Sequence, residues 1–170
     1  MNQVIAIPDN PLYAPLTERI DAIAAAHKFD VIRVPEQRCA ELLLRNSAEL
    51  ALITPLGYGQ AVGRADYRII RGPALITRGL TYMASVYMRE NAERLERCVS
   101  THAGDFMMRV GAMILNEKFG LSVNVEQVKP TSVSELLHTN DIVVDWGFEA
   151  EQKVVLDISD EGSAIAGLPL

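Results

Sequence analysis

The sequence predicts an α/β protein built from two small α/β lobes that a two-strand crossover joins. Two observations lead to this fold class. Short runs of apolar and β-branched residues alternate with amphipathic helical patterns on both sides of residues 67–88. Residues 67–88 are themselves an apolar stretch without a helical period, as is typical of extended segments. We therefore predict a first lobe over residues 1–80, a second over 81–157, and a return segment towards the first lobe over 158–170. Function is expected in a cleft between the lobes.

The first lobe begins with a β-α-β-α-β pattern. Strands are predicted at residues 4–7, 31–34 and 50–53, and helices at 17–27, where Thr17 can cap, and 35–45. Strands that follow one another through helical connections pair in parallel through right-handed crossovers. The three strands are therefore expected to form one parallel sheet.

Two loops of the first lobe follow the carboxyl ends of strands, where ligands of open parallel sheets bind. Four polar residues of these loops are candidates to face a ligand: Asp9, Asn10, Thr54 and Tyr58. The alternative is that such residues only turn the chain, and for each residue taken singly this is the better explanation. The convergence of two loops is what favours ligand binding.

The crossover contains one polar interruption, at residues 77–81. Its cation, Arg78, is suited to a bidentate contact with a ligand carboxylate. A solvated position at a hinge explains Arg78 equally well. A strand over residues 82–88 and a charged helix over 89–95 complete this part of the chain.

The second lobe carries the best single indication of a binding site. A strand at residues 98–100 leads through a loop of small and hydroxyl residues into a helix at 106–119, which Gly120 ends. Such a loop presents free backbone N–H groups, and the helix dipole favours an anion. Ser100, Thr101 and Gly104 are therefore predicted to bind substrate, although Ser, Thr and Asp before a helix are also ordinary caps. The glycines match neither a Walker A loop nor a GxGxxG fingerprint, and no cofactor is expected.

Two titratable residues are candidates for catalysis. His102 lies in the hydroxyl loop, and an imidazole suits proton transfer or a hydrogen bond to a bound acid. Most histidines are structural, so an ordinary role stays open. Asp145 follows a predicted buried strand at 142–144, next to Trp146, whose indole suits the apolar body of a ligand. The alternative places Trp146 in the core and makes Asp145 a cap.

The remaining elements of the second lobe are short. We predict strands at residues 123–128 and 154–156, a helix at 132–137, and a charged turn at 157–161.

Composition excludes several classes of function. A net charge of −6 and a pI near 5.1 argue against nucleic acid as a partner, because phosphate contacts need a basic face. The sequence shows neither a secretory signal pattern nor an apolar run that would span a membrane, so a cytoplasmic protein is expected. Cys39 and Cys98 lack the spacing of a metal site or a disulfide framework.

The order of these elements resembles the type-two periplasmic-binding-protein fold. Within that fold the chain looks most like the menaquinone-biosynthesis enzymes of the futalosine pathway: the chorismate dehydratases and the enzyme acting on cyclic dehypoxanthinylfutalosine. The resemblance rests on ELALITPLGY, ITRG, Ser100-Thr101 before the helix, DIVVDW and AGLPL, in that order. It implies a lyase that acts on a small carboxylate such as chorismate. Arg78 and Asn10 would assist the hydroxyl loop, and His102 or Asp145 would accept the proton.

The sequence departs from the dehydratase pattern at two positions. Gly57 stands before Tyr58, where the dehydratases usually carry Glu, and the hydroxyl loop is STHAGD rather than a run of Ser, Arg, Thr and Ser. A second hypothesis is therefore a non-catalytic binder of a small carboxylate or other anion, which uses the same loops. A third is a half-protein that completes its first lobe by pairing with another copy as a homodimer, since family members continue beyond the GLP motif.

Overall fold

The structure is a computed structural model that describes residues 3–72, 74–149, 151–152 and 155–167. The chain divides into two compact units, Met1–Leu75 and Ile76–Leu170. Each unit combines a β-sheet with helices, which confirms the predicted α/β class.

The sheet of the first unit is parallel, as predicted. It contains β1 (Gln3–Pro8), β2 (Phe29–Val34) and β3 (Leu50–Ala51) in the order β2-β1-β3. Ile5 on the central strand is in register with Val31 on one side and Leu50 on the other. The carboxyl ends of β1 and β3 are consequently neighbours at one edge of this sheet.

The helices of the first unit are α1 (Ala14–Thr17), α2 (Ile20–Ala26), α3 (Glu36–Leu44) and α4 (Pro55–Ala61). The prediction that Thr17 caps a helix is wrong. The chain already coils at Pro11–Tyr13, a short 3-10 helix, because proline is suited to the first helical turn. Thr17 ends α1 instead, and its hydroxyl donates to the carbonyl of Tyr13 at 3.0 Å.

The crossover continues into only one strand. Residues 67–72 and 74–83 lie in no helix or strand, and β4 (Ala84–Met88) follows them. Pro73 lies outside the described residues.

The charged helix predicted over residues 89–95 is wrong. These residues form turns between β4 and β5 (Cys98–Ser100), and Asn91 has a left-handed backbone with φ of 55°. The carboxylate of Asp141 accepts hydrogen bonds from the backbone N–H groups of Arg97 at 3.0 Å and Glu96 at 3.1 Å. The contact with Arg97 contributes most to a pKa of Asp141 below its usual range. This contact from a distant part of the chain fixes the segment as a loop.

Within the described residues, the second sheet has five strands. In addition to β4 and β5, the sheet contains β6 (Val125–Gln127), β7 (Ile142–Trp146) and β8 (Val155–Asp157). The spatial order is β6-β5-β7-β4-β8. β5 pairs in parallel with β6 and β7, whereas β4 is antiparallel to β7 and β8. The carboxyl ends of all strands except β4 therefore lie at the same edge.

Helices cover both faces of this sheet. They are α5 (Phe106–Phe119), α6 (Val133–Thr139) and α7 (Ile158–Ala166). The bounds of α5 agree with the prediction, and Gly120 ends the helix with φ of 67°. The main core includes Met108 and Ile114 of α5 with Val86 and Val144 of the sheet. A second core places α6 against the opposite face.

The charged turn predicted at residues 157–161 is also wrong. Asp157 accepts a hydrogen bond from the backbone N–H of Asp160 at 3.0 Å and so caps α7. Acidic residues in the first turn favour the helix through its dipole. α7 belongs to the second unit and pairs with α5 through Lys118 and Glu161. A return of the chain towards the first lobe stays a prediction, because residues 168–170 lie outside the described part, as does Val154.

None of the described helices has the length and apolar character needed to cross a membrane.

Candidate functional site

The carboxyl edge of the second sheet brings Ser100, Thr101 and His102 together with Asp145. This residue is only 6% exposed, and its carboxylate accepts four hydrogen bonds. The donors are the backbone N–H of Thr101 at 2.9 Å, the Thr101 hydroxyl, His102 Nδ1 at 3.0 Å and the backbone N–H of Trp146 at 2.8 Å. Asp145 thus ties the end of β7 to the loop that follows β5.

His102 is oriented by this carboxylate. Its Nδ1 lies 3.0 Å from Asp145 Oδ1 and 2.8 Å from the hydroxyl oxygen of Thr101. A carboxylate can only accept a hydrogen bond, so Nδ1 carries the proton and Nε2 is the basic nitrogen of the neutral ring. The side chain of His102 is 51% exposed. An oriented and accessible imidazole of this kind can accept a proton from a ligand.

Two further side chains hold the loop of residues 101–105. The buried hydroxyl of Ser100 accepts from the backbone N–H of His102 at 2.9 Å. Gln127, at the end of β6, donates to the carbonyl of Thr101 at 2.6 Å and accepts from the N–H of Ala103 at 3.0 Å. Sequence reasoning missed Gln127, although its place at the carboxyl end of a predicted strand was the available signal.

The first turn of α5 is not capped by the residue before it. Asp105 occupies the N-cap position with extended backbone, but its side chain makes no capping hydrogen bond. Its carboxylate instead accepts from the indole Nε1 of Trp146 at 2.8 Å. The first N–H groups of a helix have no partner within the helix. The side chain of Asp105 therefore does not cap α5, which begins beside the partly buried Gly104.

Burial is the largest influence on the pKa of Asp105. It raises the pKa of this carboxyl group, and the nearby Asp145 raises it further, whereas the Trp146 hydrogen bond and His102 act in the opposite direction. Trp146 also packs against the main core, as the structural alternative predicted. Asp145 is not the cap that this alternative proposed, because it binds the loop after β5.

The candidates in the first unit lie at the carboxyl edge of the first sheet. Asn10, after β1, accepts from the N–H of Leu12 at 3.0 Å, and Thr54, after β3, accepts from the N–H of Gly57 at 3.2 Å. Both side chains therefore cap the helices that follow them, as the turn-forming alternative describes. Their role in substrate binding stays a prediction.

The remaining candidates are less constrained. Asp9 is exposed, and the ring of Tyr58 lies 6.4 Å from that of Tyr67, measured between centroids. Arg78 is exposed and forms no salt bridge with another residue of the described ranges. A ligand contact for Tyr58 or Arg78 stays a prediction.

Two surface depressions lie away from these groups. One of about 430 Å³ surrounds Arg89 and Asp141, and one of about 610 Å³ lies beside Ala14 and Arg33. Neither depression is lined by a residue of the 100–105 loop, so neither coincides with the polar groups around Asp145. The first depression surrounds an Arg89–Asp141 ion pair, and the cation of the second, Arg33, is already paired with the exposed Asp21, so the oriented His102 is the stronger candidate for a functional group. Among the described residues, no group of three or more His, Cys, Asp or Glu side chains is placed to hold a metal ion.

No protein-family model matches the sequence, and no curated protein does. Solved structures do match. Protein AF1704 from Archaeoglobus fulgidus has a TM-score of 0.62 at 11% identity, over 98% of this chain and 64% of that one. The ATP phosphoribosyl transferase (HisG:HisZ) complex from Thermotoga maritima has a TM-score of 0.52 at 12% identity, over 90% and 83%. The periplasmic aliphatic sulphonate binding protein SsuA from Escherichia coli has a TM-score of 0.50 at 14% identity, over 85% and 50%.

At these identities the likeness shows the fold alone, which is of the type-two periplasmic-binding-protein-like class. The fold predicted from the sequence is thereby confirmed. The chain spans 64% of the length of AF1704 and 50% of that of SsuA.

Proposed function

We propose that the chain binds a small organic anion, such as a carboxylate, at the loop of residues 101–105 and the first turn of α5. The observation that carries this proposal is the pairing of His102 with Asp145 beside a helix start that Asp105 does not cap. Because Nδ1–H is bound by Asp145, His102 donates to an anion through Nε2–H as an imidazolium, and the dipole of the neighbouring helix adds to the attraction for negative charge.

The fold is consistent with this proposal. SsuA is described as a binding protein for aliphatic sulphonates, which are small organic anions. This support is an analogy between folds, because one fold serves many functions. The contacts of His102 and Asp145 at the site support the proposal more strongly than the fold does.

Binding is tested by titration of the protein with chorismate and with acetate. Trp146, the single tryptophan of the sequence, bonds to Asp105 and so reports on the site through its fluorescence. We expect a saturable change and a rise in the melting temperature, since a ligand that binds the folded state stabilises it. His102→Ala should weaken binding about tenfold. His138→Ala is the matched control, because His138 is an exposed histidine on α6. No saturable response to either acid would contradict the proposal.

A second candidate function is catalysis by a lyase of menaquinone biosynthesis that dehydrates chorismate, as the resemblance implies. The observation that favours it is the orientation of His102 by Asp145, which leaves Nε2 as a proton acceptor. Nε2 would take a proton from carbon, the C–H electron pair would form the new double bond, and the neighbouring C–O bond would break. The departing hydroxyl group and the proton leave as water.

Loss of chorismate during incubation with the protein tests this candidate. His102→Gln should abolish turnover while it retains chorismate binding, because glutamine is a donor but not a base. If the unaltered protein converts neither chorismate nor cyclic dehypoxanthinylfutalosine, binding without catalysis is the function.

A homodimer is a further proposal. Val62, Ile69 and Ile70 of the first unit are 66%, 78% and 68% exposed, and exposed apolar surface favours association. Sedimentation over a range of protein concentrations tests it, and a monomer at every concentration would contradict it.

A further inference from the structure

The hydrogen bonds around His102 fix a proton on one of its two ring nitrogens. Nδ1 lies 3.0 Å from Asp145 Oδ1 and 2.8 Å from the hydroxyl oxygen of Thr101. The single hydrogen of that hydroxyl is donated to Asp145 Oδ2, so Thr101 can only accept from the ring. Both neighbours of Nδ1 are therefore acceptors, and Nδ1 keeps its proton whether the ring is neutral or charged.

The other nitrogen, Nε2, is the one whose protonation can change. Within the described part of the chain, the hydrogen bonds of this ring are made by Nδ1, and the side chain is 51% exposed, so Nε2 is open to a ligand. In the neutral ring Nε2 is a hydrogen-bond acceptor, and only in the imidazolium is it a donor. A carboxylate or sulfonate can only accept, so only the protonated ring can bind it through Nε2.

Two carboxylates close to the ring strengthen this requirement. Asp145 contacts Nδ1, and Asp105 interacts electrostatically with both His102 and Asp145. Asp145 is buried and Asp105 is partly buried, so solvent screens their charges only in part. When both are ionised and the ring is neutral, the group as a whole repels an anion. A proton on Nε2 offsets one of the two negative charges and puts positive charge on the ring that meets the ligand.

The charged residues on the adjoining elements do not replace this proton. Arg109 in α5 and Lys129 after β6 are exposed and form no salt bridge with a described residue. Glu126 of β6 pairs with the arginine that precedes β5, and Glu149 after β7 accepts from the backbone N–H that begins α6. Among the described residues, the two aspartates are therefore the charged groups linked directly to His102.

We propose that an anion and a proton bind His102 together, an inference that rests on the proposed function. The proton passes from solvent to Nε2 and forms the N–H bond from which the anion accepts, and no other covalent bond changes. Wherever the free ring is neutral, anion binding takes up a proton. By linkage, the affinity for an anion falls as the pH rises through the range in which imidazoles lose their charge, about pH 5 to 8. A neutral His102 offers Nε2 to a hydroxyl or N–H donor instead, so pH selects the class of ligand.

The test measures the affinities for acetate and methanesulfonate through Trp146 fluorescence between about pH 6 and pH 9, at constant ionic strength. Both anions stay ionised over this range, so their own titration contributes little. The dissociation constant of the unaltered protein should rise by at least about tenfold. His102→Gln keeps a donor without a titrating proton, and its dissociation constant should stay the same across the range. His138→Ala, at an exposed histidine of α6, is the matched control and should keep the rise.

A second measurement needs no variant. Sodium methanesulfonate or sodium acetate, added to the unbuffered protein near pH 8, should raise the pH at a glass electrode as the site takes up about one proton per chain. The same addition without protein is the control. Either anion suffices if it binds, and circular dichroism at each pH establishes that the proteins are folded.

The outcomes separate this inference from the proposed function. Binding with an affinity that does not change with pH, or without proton uptake, would overturn the inference and leave anion binding intact. A pH dependence that survives in folded His102→Gln would place the proton on another group, such as Asp105, and would overturn it as well. Failure of both anions to bind at any pH would overturn the proposed function together with this inference.

Discussion

The imidazole Nδ1 of His102 and the carboxylate of Asp145 are 3.0 Å apart, although 43 residues separate them in the chain. The contact exists because β5 and β7 pair in parallel, so Asp145 at the carboxyl end of β7 meets the loop that follows β5. Asp145 is nearly buried and makes contacts on several sides, whereas His102 is half exposed. The buried Asp145 therefore stabilises the fold at this edge, and the half-exposed His102 is available to a ligand.

The first prediction concerns this difference in role. Asp145→Asn replaces an acceptor of four hydrogen bonds by an amide whose nitrogen faces donors. We expect the free energy of unfolding to fall by about 2–4 kcal/mol, the usual cost of unpaired buried polar groups. Urea unfolding measures it. Asp9→Asn, at an exposed aspartate, is the control and should leave the midpoint unchanged. An unchanged midpoint for Asp145→Asn would contradict the role of this carboxylate.

The second prediction concerns Asp105, whose pKa burial raises in the folded protein. Below the ordinary pKa of an aspartate, about 3.9, the carboxyl group is protonated in both the folded and the unfolded chain. As the pH rises, the unfolded chain releases its proton first, so the folded state becomes relatively less stable until the folded pKa is passed. Above that pH the contribution is constant.

Asp105→Asn removes this titration and keeps an oxygen for the Trp146 indole. The stability of the original protein relative to the variant should therefore decrease from pH 4 upwards and then level off. Urea unfolding by circular dichroism at a series of pH values checks this. A difference that rises with pH would show that the pKa of Asp105 is lowered instead.

Local signals explain which elements could be predicted from the sequence. The apolar runs of β5 and β7 form buried strands, as does the second half of β1, whereas β2 pairs with β1 although its residues are only partly buried or exposed. The helix at Phe106–Phe119 was found with its bounds because Gly120 stops it. The segment at 89–95 has a helix-compatible charge pattern, but the hydrogen bond that the backbone N–H of Arg97 donates to the carboxylate of Asp141 overrides it. Such a contact depends on tertiary structure and cannot be recognised from the local sequence.

The candidate site, too, could be predicted from the sequence only in part. The rule that ligands bind at the carboxyl ends of parallel strands selected His102 and Asp145 separately. Their contact depended on the strand order, which the sequence does not specify. The sequence predicts a charged turn at Asp157, yet acidic residues are equally suited to begin a helix. The sequence also predicts a strand at Tyr82, whose left-handed backbone is held by its hydrogen bond to Asp157.

The third prediction concerns the two cysteines. Burial raises the pKa of the Cys39 thiol to about 12 and that of the Cys98 thiol to about 12. The thiolate is the reactive form, so 5,5′-dithiobis(2-nitrobenzoate) should label neither residue quickly in the folded protein at pH 8. In denaturant, two thiols per chain should react. Ser134→Cys adds an exposed thiol on α6 as a positive control and should react at once. Fast labelling of the unaltered folded protein would show that one of these sites is open.

The fourth prediction tests the packing of α5 on the sheet. A Cβ atom on Gly111 would lie 2.6 Å from Cγ1 of Val144 and 3.1 Å from Cδ1 of Ile158, and both neighbours are fully buried. Gly111→Ala should lower the free energy of unfolding by about 1–2 kcal/mol, because overpacking outweighs the gain in helix propensity. Gly59→Ala is the matched control in α4, where a Cβ meets nothing within 4 Å. It should raise the free energy of unfolding by up to about 1 kcal/mol. If both variants are stabilised equally in urea, α5 does not approach β7 as closely as the contact at Gly111 requires.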